Sequence, residues 1–310
     1  MSDTTRRATK AGTWYTQDAA QLLSELKNWL AQGVASNSDL GVDFPSSRVK
    51  AVIVPHAGYR FSGATAGHAY HAIDVREINR VFLIGPNHHW AELGDRVGVT
   101  HLKSCETPMG PIFVDTIVTQ ALQDEGLAIP LRKAVDEQEH SLEMQMPYLF
   151  HIMADAGKTP SQWTLVPLMV GHTSAAQEKK LAAFLSPHLA DPHTLFVISS
   201  DFCHWGEPYG YMPRESAVPI YKSIETMDRR GMTLIEQQNV AGFRAYLDET
   251  RNTICGRHAI SLLLETLDHL HAQPDHVRLQ GRFVHYTNSG RVERPSDFSV
   301  SYASAVFVTP

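Results

Sequence analysis

Two adjacent histidines, His88 and His89, stand directly behind a short apolar run, 81–84, and a Gly85-Pro86 pair. Imidazoles act as metal ligands, general bases and proton carriers near neutral pH. The chain repeats the arrangement. His56 follows the apolar run Val49–Val54, and Asp201 and His204 follow the run 194–198. Cys255 and His258 stand just before another apolar stretch, 259–270, and Glu139, His140, Ser141 and Glu143 form one more polar group. Two imidazoles and one anionic donor suit Fe(II), Zn(II) or copper. The anion is Asp201 or Glu143 as a carboxylate, or Cys255 as a thiolate, and the residue types alone leave this open. Cys255 precedes a helix expected to begin near Gly256. Free N–H groups and the helix dipole there favour a thiolate, with Arg257 and His258 adding positive charge, so a lowered thiol pKa is expected. The alternative is a packing thiol, the usual fate of a free cysteine.

Such residues act together only if the fold gathers their turns. A short apolar, β-prone run that ends at turn residues reads as a buried strand. Open α/β sheets place their sites just past the carboxyl ends of such strands. Val49–Val54, 80–84, Thr164–Val170 and 194–198 are the core strands on this reading. The pattern over 63–73 predicts a crossover helix, which makes a β-α-β unit with both histidine turns on one sheet edge. Gly85-Pro86 is expected to end its ladder. Helical spacing also covers 18–31, 115–125, 175–185, 215–227, 240–250 and 259–270. A helical stretch over 138–154 should start or kink at Pro147. Runs 277–286 and Ser299–Val308 alternate and read as antiparallel or mixed strands, and 96–100 and 111–114 as edge strands. The fold class is α/β, a central mixed, largely parallel sheet flanked by helices. No repeat, linker or composition break divides residues 1–310, so a single domain is expected.

Composition narrows the function. Apolar residues make up 43% of the 310 and charged residues 19%, an ordinary globular balance, with a net charge of −6. No basic stripe points to nucleic acid, and no apolar run approaches membrane-spanning length, so neither partner is expected. The opening residues lead into no signal core, which together with three cysteines and no disulfide framework predicts a reducing, cytoplasmic setting. Cys203 reads as a packing residue and Cys105 as an inert loop thiol. His68 and His71 read as ordinary helix histidines, and His188, His193, His269, His271 and His276 as surface positions. Tyr59, Trp90 and Trp205 read as walls of the cleft.

Pro55-His-Ala-Gly-Tyr59, Gly85-Pro-Asn-His-His89, Glu139-His-Ser-Leu-Glu143, Ser199-Ser-Asp-Phe-Cys-His-Trp-Gly206, Asn252-Thr-Ile-Cys-Gly-Arg-His258 and Ser299-Val-Ser-Tyr-Ala303 occur in that order. Together they resemble the Memo proteins (mediator of ErbB2-driven cell motility), over about residues 11–308. Memo proteins are similar to class III extradiol dioxygenases, α/β proteins with non-haem Fe(II) in a 2-His-1-carboxylate site. The resemblance implies His56, His89 and Cys255 as metal ligands, holding iron or copper, with zinc a further option. It places His140, Asp201 and His204 in the same cleft as catalytic candidates. Cys255 replaces the carboxylate of the true dioxygenases, which implies a metal-dependent oxidoreductase rather than a ring-cleaving enzyme. Gln145 stands where some members carry histidine and takes no role from the family. The resemblance also implies a redox role linked to motility signalling, in the cytoplasm with the nucleus as a second location. The alternative it implies is a non-enzymatic adaptor that holds a phosphotyrosine peptide or signalling protein in the same cleft. No arginine cluster like those of phosphopeptide readers is evident in the sequence, which favours the metal.

Overall fold

The apolar runs form one nine-stranded sheet. A computed structural model describes residues 4–215, 217–274 and 278–310. The strands are β1 (Val49–Val54), β2 (Arg80–Pro86), β3 (Val97–Thr100), β4 (Ala128–Leu131), β5 (Thr164–Val170), β6 (Thr194–Ser199), β7 (His204–Trp205), β8 (Gln280–Asn288) and β9 (Ser299–Val308). Their spatial order is β7-β9-β1-β6-β2-β5-β3-β4, with β8 on β9. The central strands β1, β6, β2 and β5 run parallel. Each of them reads as a continuous apolar run because both faces of the sheet are covered.

The helices are α1 (Ala19–Leu30), α2 (Tyr59–His71), α3 (Thr116–Asp124), α4 (Lys133–Gln138), α5 (Met146–Asp155), α6 (Ala175–Ala190), α7 (Ile220–Glu236), α8 (Val240–Thr250) and α9 (Arg257–His271). One face carries Val52, Val54, Val81, Leu83, Leu165 and Val197 beneath α1, α2 and α5. The other carries Ala51, Ile53, Phe82, Ile84, Val166 and Phe196 beneath α6 and α9. The period-2 alternation of strand side chains produces this division. Among the described residues, no helix is long and apolar enough to cross a membrane.

Several elements differ from the sequence expectation. The β1 and β2 strands are parallel but not adjacent, because β6 lies between them. The β2 ladder continues through Pro86, which is paired with Val170. The stretch 138–154 is broken: a helix at Lys133–Gln138 ends before Glu139, and α5 begins at Met146 with Pro147 in its first turn. Residues 96–100 give β3, an inner strand covered by β4. The expected helix over 215–227 is Ile220–Glu236. The start of the expected 277–286 strand and His276 lie outside the described residues. Cys105 is not in a loop. It is fully buried in the strand Ser104–Thr107, which pairs with Thr5–Arg6 from far away in sequence. His188 is half-buried, with its ring 5.0 Å from Phe82 and 5.4 Å from Phe184.

Candidate metal centre

His56 leaves β1 through the turn that starts α2, and its side chain is buried. Its ring state follows from one hydroxyl. Ser199 Oγ donates its single proton to the Ser141 carbonyl at 2.7 Å. The same oxygen accepts from Gln145 Nε2 at 2.8 Å, and His56 Nδ1 lies 2.8 Å away. A hydroxyl has one proton and two lone pairs, so His56 Nδ1 must donate to Ser199. The lone pair is then on His56 Nε2, which faces Cys255 Sγ at 3.1 Å. Gln145 is itself fixed by Tyr70 and the Pro55 carbonyl. Ser199→Ala is therefore expected to weaken metal binding about 10–100-fold, as loss of a ligand's supporting hydrogen bond does. Metal titration of the folded variant checks this, and unchanged affinity would remove Ser199 from the site.

His88 is fixed in the same way by a different residue. Glu139 accepts from the His88 backbone N–H at 2.6 Å and from His88 Nδ1 at 2.9 Å. It also accepts the His140 and Ser141 N–H groups, each at 2.8 Å. Burial works to raise the Glu139 pKa, but His88, His140 and these N–H groups hold it well below the ordinary carboxylate range. Burial disfavours the His88 imidazolium, yet Cys255 and Glu139 more than offset it and raise the His88 pKa to about 10. His140 goes the other way: burial and the charge of His88 lower it to about 3, with Glu139 opposing. The His140 ring stacks on His88 at 4.4 Å and lies 5.4 Å from His56.

Cys255 sits in the turn before α9. Its neighbour Gly256 is obligatory there, since a Cβ would lie 2.4 Å from the Ser200 Cβ. The Cys255 sulfur accepts the Asp201 backbone N–H at 3.3 Å. The expected lowering of the thiol pKa is not found. Burial raises it and outweighs the help of His88, and α9 starts only at Arg257. Asp201 is buried and accepts the His56 backbone N–H at 2.8 Å, so it shapes the His56 turn rather than holding the ring. Burial raises the Asp201 pKa, with His204 and the His56 and Ala57 N–H groups opposing.

Two overlapping sets bring potential ligand atoms within 4.8 Å of one another: His56, His88 and His140, and His56, Asp201 and Cys255. His89 belongs to neither. Its ring is 5.9 Å from His140 and 6.2 Å from His88. His204 lines the neighbouring cavity, with Nδ1 at 2.9 Å from the Phe202 carbonyl and 3.1 Å from that of Thr253. Glu143 faces away from the cleft. Its carboxylate binds Arg6 at 2.7 Å, the Lys10 N–H at 2.7 Å and Tyr15 at 3.0 Å. Tyr59 and Trp205 are buried and do not wall the cleft; Trp14, 4.4 Å from the His140 ring, and Tyr209 do. Ser199, Gln145 and Trp14 are site residues that sequence reasoning missed, and Glu139 was read only as a member of a polar group. The Ser199 and Glu139 motifs were visible, but not which of their atoms meet a histidine.

A family model described as "Memo-like protein" matches residues 6–306. The chain is 38% identical over 304 residues to "Protein MEMO1" of Xenopus tropicalis, covering 98% of this chain and 97% of that one. It is 36% identical over 300 residues to "Protein MEMO1" of Homo sapiens, covering 96% of each. With "Protein memo-1 homolog" of Caenorhabditis elegans the identity is 37% over 309 residues, covering 99% of this chain and 83% of the other. A match of this extent, at this identity along almost every residue, places the chain in the Memo family.

Proposed function

We propose that this cleft holds one transition-metal ion, iron or copper, on His56, His88 and Cys255, and that the protein has a redox role there. The carrying observation is the commitment of both Nδ1 atoms, His56 to Ser199 and His88 to Glu139, which leaves Nε2 as the ligand atom each ring can offer. Both rings are hydrogen-bond partners of the one exchangeable thiol between them. Imidazole nitrogens with a thiolate make a donor set suited to copper, zinc or iron. His88 replaces His89 in this reading, because His89 belongs to neither set of close donor atoms. A bound ion would supply one-electron transfer or Lewis-acid activation. The chain's own part is to fix the ring tautomers, to screen His56 from water, and to present His140, Asp201 and His204 beside the ion as catalytic candidates.

Binding must remove the proton from Cys255. Burial sets that pKa above its ordinary value, with His88 opposing. The thiol holds its proton at neutral pH, so the affinity is expected to rise with pH and to be still rising at about pH 9. Metal analysis of protein prepared without an affinity tag, followed by titration from pH 6 to 9, tests this. An absence of bound metal, or an affinity flat across that range, would count against the reading.

A further inference from the structure

A cavity of about 390 Å³ opens on the cysteine side of the cluster. Its lining includes His88 and Cys255 together with His172, Arg257 and His258. No aspartate or glutamate is among its described lining residues. This is uncommon in a chain whose overall charge is −6.

Arg257 is the centre of the imbalance. Its Nη1 reaches only the Ile254 carbonyl, at 3.3 Å, and no acidic partner is found for it among the described residues. Most of its five donors are therefore uncommitted. Arg244 provides the contrast. It borders an adjacent cavity of about 490 Å³ that shares Thr253, Arg257 and His258, and it is neutralised by Glu178 and Glu265. Glu178 also lies 3.4 Å from His258 Nδ1, which orients that ring. The His172 ring is 5.5 Å from His258. Burial first, then His258 and Arg257, hold the His172 pKa below its ordinary value. The start of α9 at Arg257 has no side-chain cap, so its dipole adds to the same potential.

We propose that this cavity binds a small organic anion, a carboxylate- or phosphate-bearing metabolite, whose charged group rests on Arg257 and whose other end reaches His88 and Cys255. The position of the far end rests on the metal reading; the anion contact does not. A guanidinium fork matches carboxylate and phosphate oxygens in pairs. A cavity of this size takes a metabolite-sized molecule.

The test uses metal-free full-length protein, titrated with inorganic phosphate and separately with glutarate, at ionic strength held constant with chloride. Thermal midpoint and tryptophan fluorescence are read. At least one anion is expected to bind saturably and raise the midpoint. The stronger of the two identifies the charged group. Arg257→Gln is expected to weaken that binding about 10–100-fold, the value of a charged hydrogen-bonded contact. Arg257→Lys, which keeps the charge, should lose less. Arg251→Gln, in the adjacent cavity only, should lose nothing. Circular dichroism without anion checks that each variant is folded; if Arg257→Gln is not, the loss in Arg257→Lys relative to Arg251→Gln decides. Absence of saturable binding by either anion, or unchanged binding when Arg257 is replaced, would overturn the proposal. Metal content, measured on the same variants and expected to be unaffected, reports separately on the metal reading.

Discussion

His88→Ala is expected to lower metal affinity by more than about 100-fold, while His89→Ala leaves it within a factor of about two, since a lost ligand should cost more than a lost supporting contact. The two residues are neighbours with the same side chain, so composition and local charge are controlled. What separates them is direction. Glu139 takes both the backbone N–H and the Nδ1 of His88, which turns that ring toward His56 and Cys255. His89 contributes only a backbone N–H to Asn87 at 3.3 Å, and its ring lies 5.9 Å from that of His140 and 6.2 Å from that of His88. Titration of both variants beside the parent protein decides the matter. Loss of metal in the His89 variant with retention in the His88 variant would restore the ligand set implied by family resemblance.

Arg6→Met is expected to destabilise the protein by about 3–5 kcal/mol, the cost of breaking a buried ion pair from one side. Arg6 is 1% exposed and bridges Asp136 at 2.9 Å and Glu143 at 2.7 Å. It also caps the carbonyls of Asp136 and Glu139, at 2.9 Å and 2.7 Å. Burial opposes its charge, but these carboxylates hold its pKa above the usual arginine value. Removing it leaves Asp136 and Glu143 buried without their cation and frees the segment that carries Glu139. Urea unfolding should show a lower midpoint at unchanged slope. A loss below about 1 kcal/mol would mean that the network adds little, as surface pairs do. Because Glu139 orients His88, the variant should also bind metal less tightly than its residual stability alone would suggest.

The sheet was legible where both faces are buried. Val49–Val54, Thr164–Val170 and Ser299–Val308 have the bounds their apolar or alternating runs predict. Strand order was not legible, since nothing local places β6 between β1 and β2. The start of α2 was missed because Tyr59–Ser62 carries no helical apolar spacing. His56, Asp201, His204 and Cys255 were legible as residues of one cleft because each follows a strand or precedes a helix. The choice between His88 and His89 was not, because it depends on Glu139, 51 positions away in sequence. The partners of the two ring Nδ1 atoms, Ser199 and Glu139, are not the carboxylates singled out as anionic donors, Asp201 and Glu143. Glu143 is occupied by Arg6, a contact spanning 137 positions. The thiol argument failed on magnitude: the dipole of a helix that starts two residues later is weaker than the cost of burying the Cys255 charge.

X-ray absorption at the edge of the copurified or reconstituted metal tests the centre most directly. The arrangement predicts one sulfur scatterer, near the ~2.3 Å typical of metal–thiolate bonds, with imidazole nitrogens completing the set. The sulfur signal should vanish in Cys255→Ser and persist in His89→Ala. A spectrum of the parent protein fitted by nitrogen and oxygen alone, unchanged in Cys255→Ser, would contradict a His56, His88 and Cys255 centre.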